Sequence, residues 1–277
     1  MTQEKLDLRG FRVWHERLAP FLPDQHEALS SQTDALWRHL EPHVDHDAEA
    51  LHCSVSAHFD PSLDASLGRR LPSRQPLYWI LPALLALEAG VERERVAADV
   101  ERFSVASAVH SMADDPRIEL GSACVLEALI RIRAGYQGCS AAALATSADL
   151  AERIDAKCKP WKSVIAFGTR DLRAAVAPDA AKSARLGAAL TAVMAVFSCL
   201  QTVDDYHDGA EDERRGSWNL WTSTRPAAAR ALCLVLTAAA VVHVTGLPEG
   251  VLRRVLALQL RDTLTEVRVM LEASIAT

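Results

Sequence analysis

Apolar side chains along this chain recur every three or four residues. The segments LYWILPALLALEAG (77–90) and VAADVERFSVASAVHSMADD (96–115) show this spacing, which places the apolar residues on one face of an α-helix. No run alternates apolar and polar residues for long enough to indicate a strand. We therefore predict an all-α protein, with helices at about residues 4–18, 24–41, 45–57, 75–89, 92–113, 120–135, 140–155, 160–176, 179–208, 224–245 and 248–274.

The helices are predicted to form a single domain over residues 1–277. One hydrophobic core can serve a chain of roughly 250–300 residues, and 49% of this chain is hydrophobic. The longest apolar runs, at 186–200 and 231–247, are shorter than the roughly 20 residues that span a bilayer. We expect them to be buried helices of a protein that does not span a membrane.

Charge and cysteine content narrow the range of partners. The net charge of −6 does not favour nucleic acid, whose phosphates are bound by basic surfaces. The first residues, MTQEKLDLRGFRVWHERL, carry charges throughout, so we expect no signal peptide and a cytoplasmic location. The six cysteines are scattered without a CxxC pair, which favours reduced thiols over a metal or disulfide framework.

The strongest chemical signal is an acidic cluster that directly follows the apolar run at 186–200. On a continuous helix, Asp204, Asp208 and Asp212 would lie at i, i+4 and i+8 and share one face. Carboxylates so placed repel one another, and Mg²⁺ is a cation that prefers such oxygen ligands and often takes phosphates as well. Arg214 and Arg215 follow at once, in position to contact phosphate oxygens. The alternative is a solvated acidic helix end.

Four segments resemble motifs of the trans-isoprenoid (class I) synthase superfamily, which includes polyprenyl diphosphate synthases, squalene and phytoene synthases, and terpene cyclases. LQTVDDYHD and HDGAEDERRG (200–216) resemble forms of the second aspartate-rich motif. RQPLYWILPALLALEAGV (74–91) and VERFSVASAVHSMADD (100–115) resemble a cavity-lining helix and the helix of the first motif, and KCKPWKSVIAFGTR (157–170) resembles a Lys-Thr helix start. The resemblance covers about residues 68–220 and agrees in the order of its elements.

This resemblance implies a helical bundle around a central apolar cavity. In such enzymes two aspartate-rich faces hold Mg²⁺ against a prenyl diphosphate, here farnesyl or geranylgeranyl diphosphate. The implied catalytic metal ligands are Asp204, Asp208 and Asp212, faced by Asp114 and Asp115. The implied diphosphate contacts are Lys159, Arg214, Arg215 and Gln201, and the implied cavity residues are Tyr78, Trp79, Phe103, Val109 and Phe197. For each cavity residue, plain core packing is the alternative.

Departures from the family pattern separate three functions. The segment RIELGSA (117–123) stands where elongating synthases carry paired arginines for isopentenyl diphosphate, which favours a terpene cyclase. The squalene-synthase character of HDGAEDERRG leaves a prenyltransferase open. Ile118 occupies the place of the third aspartate of the first motif, with Glu119 after it, which leaves open a non-catalytic partner subunit. A homodimer also stays open.

A second polar cluster, HLEPHVDHDAEALH (39–52), contains four histidines. Such residues can bind transition metals. Pro42 is expected to interrupt the helix between His39 and His43, however, because proline cannot continue the backbone hydrogen bonding. A solvated helix connection is therefore the preferred interpretation of this segment.

Overall fold

The computed structural model describes residues 29–44, 77–111, 127–128, 130–134, 144 and 150–273. Across these residues the regular elements are helices, without a strand, so the prediction of an all-α fold is confirmed. In chain order the α-helices are α1 (Leu29–Leu40), α2 (Leu77–Ala89), α3 (Ala97–Ser111), α4 (Leu150–Lys157), α5 (Lys159–Phe167), α6 (Arg170–Val176), α7 (Ala180–His207), α8 (Gly209–Arg215), α9 (Pro226–Thr245) and α10 (Val251–Ala273).

Helix α7 occupies the centre of the described bundle. It packs against α2, α4, α6, α9 and α10, and every residue from 192 to 199 is buried. A helix that is apolar on all sides is stable in water only when other helices cover it. The apolar run that precedes the acidic cluster is therefore core, and the cluster lies where the central helix leaves that core.

Aspartate side chains hold two helix starts. Asp179 accepts hydrogen bonds from the backbone N–H groups of Ala181 and Lys182, both at 3.0 Å, and so caps α7. Asp99 of α3 is fully buried and accepts from Asp171 N at 3.0 Å and Leu172 N at 2.7 Å. Asp99 thereby ties α3 to the first turn of α6.

Several predicted helix bounds need correction. The predicted helix 160–176 is two helices, α5 and α6, which are separated at Gly168 and Thr169. The predicted helix 92–113 opens with a 3-10 turn, Arg93–Val96, before α3 begins. The bounds of α2, α7, α9 and α10 lie within three residues of the prediction. The helices predicted at 4–18 and 45–57 lie outside the described residues.

Two helices, α7 and α9, are long and apolar enough to cross a bilayer by length and composition alone. Buried core helices meet the same test. In the most apolar stretch of α7, 72% of the residues are buried inside the protein, against 50% in α9. That the chain does not span a membrane stays a prediction.

Candidate functional site at the end of helix α7

The acidic cluster does not lie on one continuous helix. Helix α7 ends at His207 and α8 begins at Gly209. Asp208, with φ −95° and ψ 11°, lies outside both helices, although Asp208 N still donates to Asp204 O and Asp212 N to Asp208 O, both at 2.8 Å. The prediction of one helix through Asp204, Asp208 and Asp212 is therefore wrong. A glycine directly after Asp208 disfavours helix continuation, and Asp212 turns back towards α4.

Lys157, the last residue of α4, connects two carboxylates of the cluster. Its Nζ lies 2.6 Å from Asp205 Oδ1 and 2.6 Å from Asp212 Oδ2. The side chain of Lys157 is 10% exposed and that of Asp205 is fully buried. Burial alone would lower the pKa of Lys157, but the two carboxylates outweigh it, and the pKa lies above its ordinary value. Lys157 is therefore an ammonium ion at neutral pH.

Asp205 receives two further hydrogen bonds inside the protein. Gln201 Nε2 donates to Oδ1 at 2.9 Å, and Leu220 N donates to Oδ2 at 2.7 Å. Burial outweighs Lys157 and these two donors, so the pKa of Asp205 lies above its ordinary value. Since both carboxyl oxygens accept from N–H donors, we assign Asp205 as a carboxylate paired with the lysine. We call Asp205 and Asp212 the inner pair.

Asn219 attaches the loop after α8 to the inner pair. Its Nδ2 donates to Asp205 O at 2.6 Å and to Asp212 Oδ2 at 2.8 Å. Its Oδ1 accepts from Trp221 N at 2.9 Å and from Thr222 N at 3.2 Å. The residue is fully buried. Asn219 thus stabilises the turn of its own loop and contacts the same carboxylate oxygen as Lys157.

Asp204 and Asp208, which we call the outer pair, lie on the solvent side of the cluster. Asp204 accepts one hydrogen bond from Gln201 Nε2 at 3.1 Å. Partial burial of its carboxyl, together with the nearby charges of Asp208 and Asp205, raises the pKa of Asp204 to about 6. Lys157 only partly offsets this effect. The outer pair therefore carries negative charge that the described residues leave incompletely balanced.

The donor set of the outer pair fits a Mg²⁺ ion. Within the described ranges, no three His, Cys, Asp or Glu side chains come together as a metal-binding group. Magnesium nevertheless binds often through one or two carboxylates, completing its shell with waters and substrate phosphates. Asp204 and Asp208 could supply those carboxylates, while Asp212 is engaged by Lys157 and Asn219. Asp114 and Asp115 lie outside the described residues.

Of the predicted diphosphate contacts, some lie within the acidic cluster and others lie apart from it. Gln201 belongs to the hydrogen-bond network of the cluster. Lys159 is exposed, and no contact with the carboxylates of the cluster is described for it or for Arg214. Arg215 pairs with Glu211 along α8.

The lysine that contacts the cluster is Lys157, which was not among the predicted diphosphate contacts. Helix α4 ends at Lys157 and α5 starts at Lys159, so the two lysines point in different directions. Pro160 was the available signal, because proline is favoured in the first turn of a helix.

Aromatic side chains pack beside α7 towards the core. The rings of Trp161 and Phe197 stack with centroids 4.8 Å apart, and the ring of His110 lies 4.1 Å from that of Trp161. Burial lowers the pKa of His110 to about 4, so this imidazole is neutral at pH 7. Phe103 and Phe197 are buried, whereas the side chains of Tyr78, Trp79 and Val109 lie outside the described residues.

The histidine cluster is described only at its start. As predicted, the α-helix ends before Pro42, and a 3-10 turn, Glu41–His43, follows α1. His39 Nε2 lies 3.2 Å from Thr245 Oγ1, and the rings of His39 and His43 are 6.5 Å apart. Burial lowers the pKa of His43, with Arg253 adding to the effect. The residues from Asp45 to His52 lie outside the described part of the chain.

No protein-family model, curated protein or solved structure matches this chain.

Proposed function

We propose that this chain is a class I isoprenoid synthase, and within that class a terpene cyclase that ionises a prenyl diphosphate with Mg²⁺. The observation that carries the proposal is the arrangement at the end of α7. There the outer pair, Asp204 and Asp208, offers oxygen ligands to a metal, and the buried ammonium of Lys157 lies within the same cluster. The motif resemblance of residues 200–216 supports the same function.

The chain's own residues account for binding and for the exclusion of water. Lys157 can donate to a diphosphate oxygen, and Mg²⁺, when bound, would neutralise charge that develops on the leaving diphosphate. The allylic C–O bond breaks, and its electron pair leaves with the diphosphate. Buried apolar side chains along α7 keep water from the resulting cation. The stacked faces of Trp161 and Phe197 are of the kind that attracts positive charge.

A non-catalytic partner subunit is the second candidate, and one observation favours it. Lys157 already pairs with both carboxylates of the inner pair, and Asn219 adds a second hydrogen bond to Asp212. A hydrogen-bonded ionic network of this kind can stabilise the fold without binding a ligand. The two candidates differ in whether the protein turns over a substrate by itself.

The experiment that tests the proposal supplies substrates directly. The purified protein is incubated with Mg²⁺ and geranyl, farnesyl or geranylgeranyl diphosphate, each with and without isopentenyl diphosphate, and organic extracts are analysed by gas chromatography and mass spectrometry. We expect a hydrocarbon or alcohol from farnesyl or geranylgeranyl diphosphate alone. Product only with isopentenyl diphosphate would indicate a prenyltransferase, and absence of product throughout would favour the partner subunit.

A matched pair of variants links turnover to the outer pair. Asp208→Asn removes one proposed metal ligand and should abolish turnover. Asp262→Asn removes an exposed carboxylate of α10 that pairs with Arg261 and should leave turnover unchanged. Full activity of the Asp208 variant would refute the metal assignment.

A further inference from the structure

One buried amide joins the loop after α8 to the carboxylate that contacts Lys157. Asp212 Oδ2 accepts from Lys157 Nζ at 2.6 Å and from Asn219 Nδ2 at 2.8 Å. The same Asn219 nitrogen donates to Asp205 O on α7 at 2.6 Å. Asp212 is therefore held from two sides, by an ammonium of α4 and by an amide whose position depends on α7.

The position of Asp212 needs this second support. It lies on α8, a helix of seven residues with no buried side chain, so core packing does little to fix its orientation. Helices this short are marginal without tertiary contacts. The contact with Asn219 is thus a principal restraint that brings the Asp212 carboxylate over the lysine ammonium.

We propose that Asn219 is a positioning residue that acts through Asp212 to fix the Lys157 ammonium at the end of α7. The consequence for diphosphate binding rests on the proposed function, whereas the positioning itself does not. Loss of the Nδ2 donor frees the Asp212 carboxylate to turn towards solvent. Lys157 then keeps only Asp205 and becomes more mobile and more accessible.

If Asn219 only attached the loop to α7, loss of any other attachment of the loop should affect Lys157 equally. The chain offers a control variant for that case. Trp221 Nε1 donates to Thr202 O at 2.8 Å, which attaches the same loop to α7 without contacting the acidic cluster. Asn219→Ser keeps an oxygen that can accept in the turn but is too short to reach Asp212. Trp221→Phe removes this attachment of the loop and leaves Asp212 and Lys157 with their partners.

The test measures the accessibility of Lys157 directly. Native protein is treated with formaldehyde and borohydride for short times, and methylation of each lysine is followed by peptide mass spectrometry, with exposed Lys159 as internal reference. We expect the labelling rate of Lys157 relative to Lys159 to rise about tenfold in Asn219→Ser, the change that follows from loss of a hydrogen bond to a charged group. Trp221→Phe should leave this ratio unchanged.

A second variant covers the case in which Asn219→Ser does not fold. Asn219→Asp has nearly the same shape and keeps the acceptor of the turn, but it replaces the donor by an oxygen that repels Asp212. It should raise the labelling ratio as well. An unchanged ratio in the folded Asn219 variants, or an equal rise in Trp221→Phe, would overturn the proposal.

Binding of inorganic pyrophosphate in the presence of Mg²⁺, followed by calorimetry, separates this proposal from the proposed function. We expect wild-type protein to bind and the Asn219→Ser variant to bind about tenfold more weakly, with Trp221→Phe unchanged. If wild-type protein does not bind pyrophosphate, the proposed function loses its support. The labelling ratio still decides whether Asn219 positions Lys157.

Discussion

Asp204 and Asp205 are neighbours in sequence but lie in opposite surroundings. Successive residues of an α-helix point about 100° apart, so the carboxylate of Asp205 enters the core beside Lys157 while Asp204 lies towards solvent. Both carboxyl oxygens of Asp205 accept hydrogen bonds from N–H donors, whereas neighbouring carboxylates help to raise the pKa of Asp204 to about 6. Their roles therefore differ, with Asp205 suited to hold a lysine and Asp204 suited to bind a cation.

Removal of the lysine should destabilise the protein strongly. Lys157→Met leaves the buried carboxylate of Asp205 and the half-buried carboxylate of Asp212 without a counterion. Breaking a buried ion pair from one side costs roughly 3–5 kcal/mol, and we expect a loss of about 3 kcal/mol in the free energy of unfolding, measured by urea denaturation. Lys159→Met, on an exposed lysine two residues away, should change it little. Equal effects in both variants would contradict the assignment.

The raised pKa of Asp204 predicts a pH-dependent stability. Because the pKa is about 6 in the folded protein against an ordinary value of 3.8, protonation of Asp204 favours folding. This contribution is fully present below pH 3.8 and is lost as the pH rises through about 6. Asp204→Asn, which stays neutral, should therefore be the more stable protein at pH 8 and match wild type near pH 4.

Solvent limits the gain in stability expected for Asp204→Asn at pH 8, since Asp204 is an exposed residue. Thermal unfolding should show a Tm higher by ~1–2 °C for Asp204→Asn at pH 8. Added Mg²⁺ should raise the Tm of wild-type protein at that pH but not that of the variant. A variant less stable than wild type at pH 8 would show that the carboxylate is favourably placed without metal.

At the scale of elements, replacing either of two glycines by alanine should change the free energy of unfolding, in opposite directions. A Cβ on Gly168, at the break between α5 and α6, would lie 2.5 Å from Phe103 Cβ and 2.8 Å from Phe103 Cα. Since the backbone of α3 cannot yield easily, Gly168→Ala should lower the free energy of unfolding by about 1–3 kcal/mol. Gly187, inside α7, has nothing within 4 Å of such a Cβ.

Gly187→Ala should therefore stabilise the protein by about 0.5–1 kcal/mol, because alanine is the better helix former. Chemical denaturation of both variants against wild type provides the measurement. The sign of the two changes should differ, and a stabilising effect of Gly168→Ala would contradict the close approach of α3 to this break.

At the scale of the whole molecule, the question is what surrounds the two apolar helices. Helix α7 is covered by five other helices and ends in an ionised network with Lys157, an arrangement typical of a protein core in water. We expect the expressed protein to stay in the supernatant after ultracentrifugation and to remain monodisperse without detergent. Recovery from membranes only with detergent would contradict this interpretation.

The sequence by itself predicted the helical class, the positions of the long helices and the location of the acidic cluster. Each of these follows from local chemistry. Apolar residues at helical spacing must face a core, and α7, α9 and α10 lie within three residues of their predicted bounds. A group of aspartates after an apolar run marks the end of a buried helix, whatever the rest of the fold.

Only the tertiary structure decided which residues of that cluster meet. The break at Asp208 placed Asp212 on α8, so the partners of Lys157 are Asp205 and Asp212 and the predicted trio of Asp204, Asp208 and Asp212 is divided. Lys157, rather than Lys159, faces the carboxylates because α4 ends at Lys157 and a new helix, α5, begins at Lys159. Such choices depend on the direction of each side chain and on contacts between residues some fifty positions apart, which local periodicity does not encode.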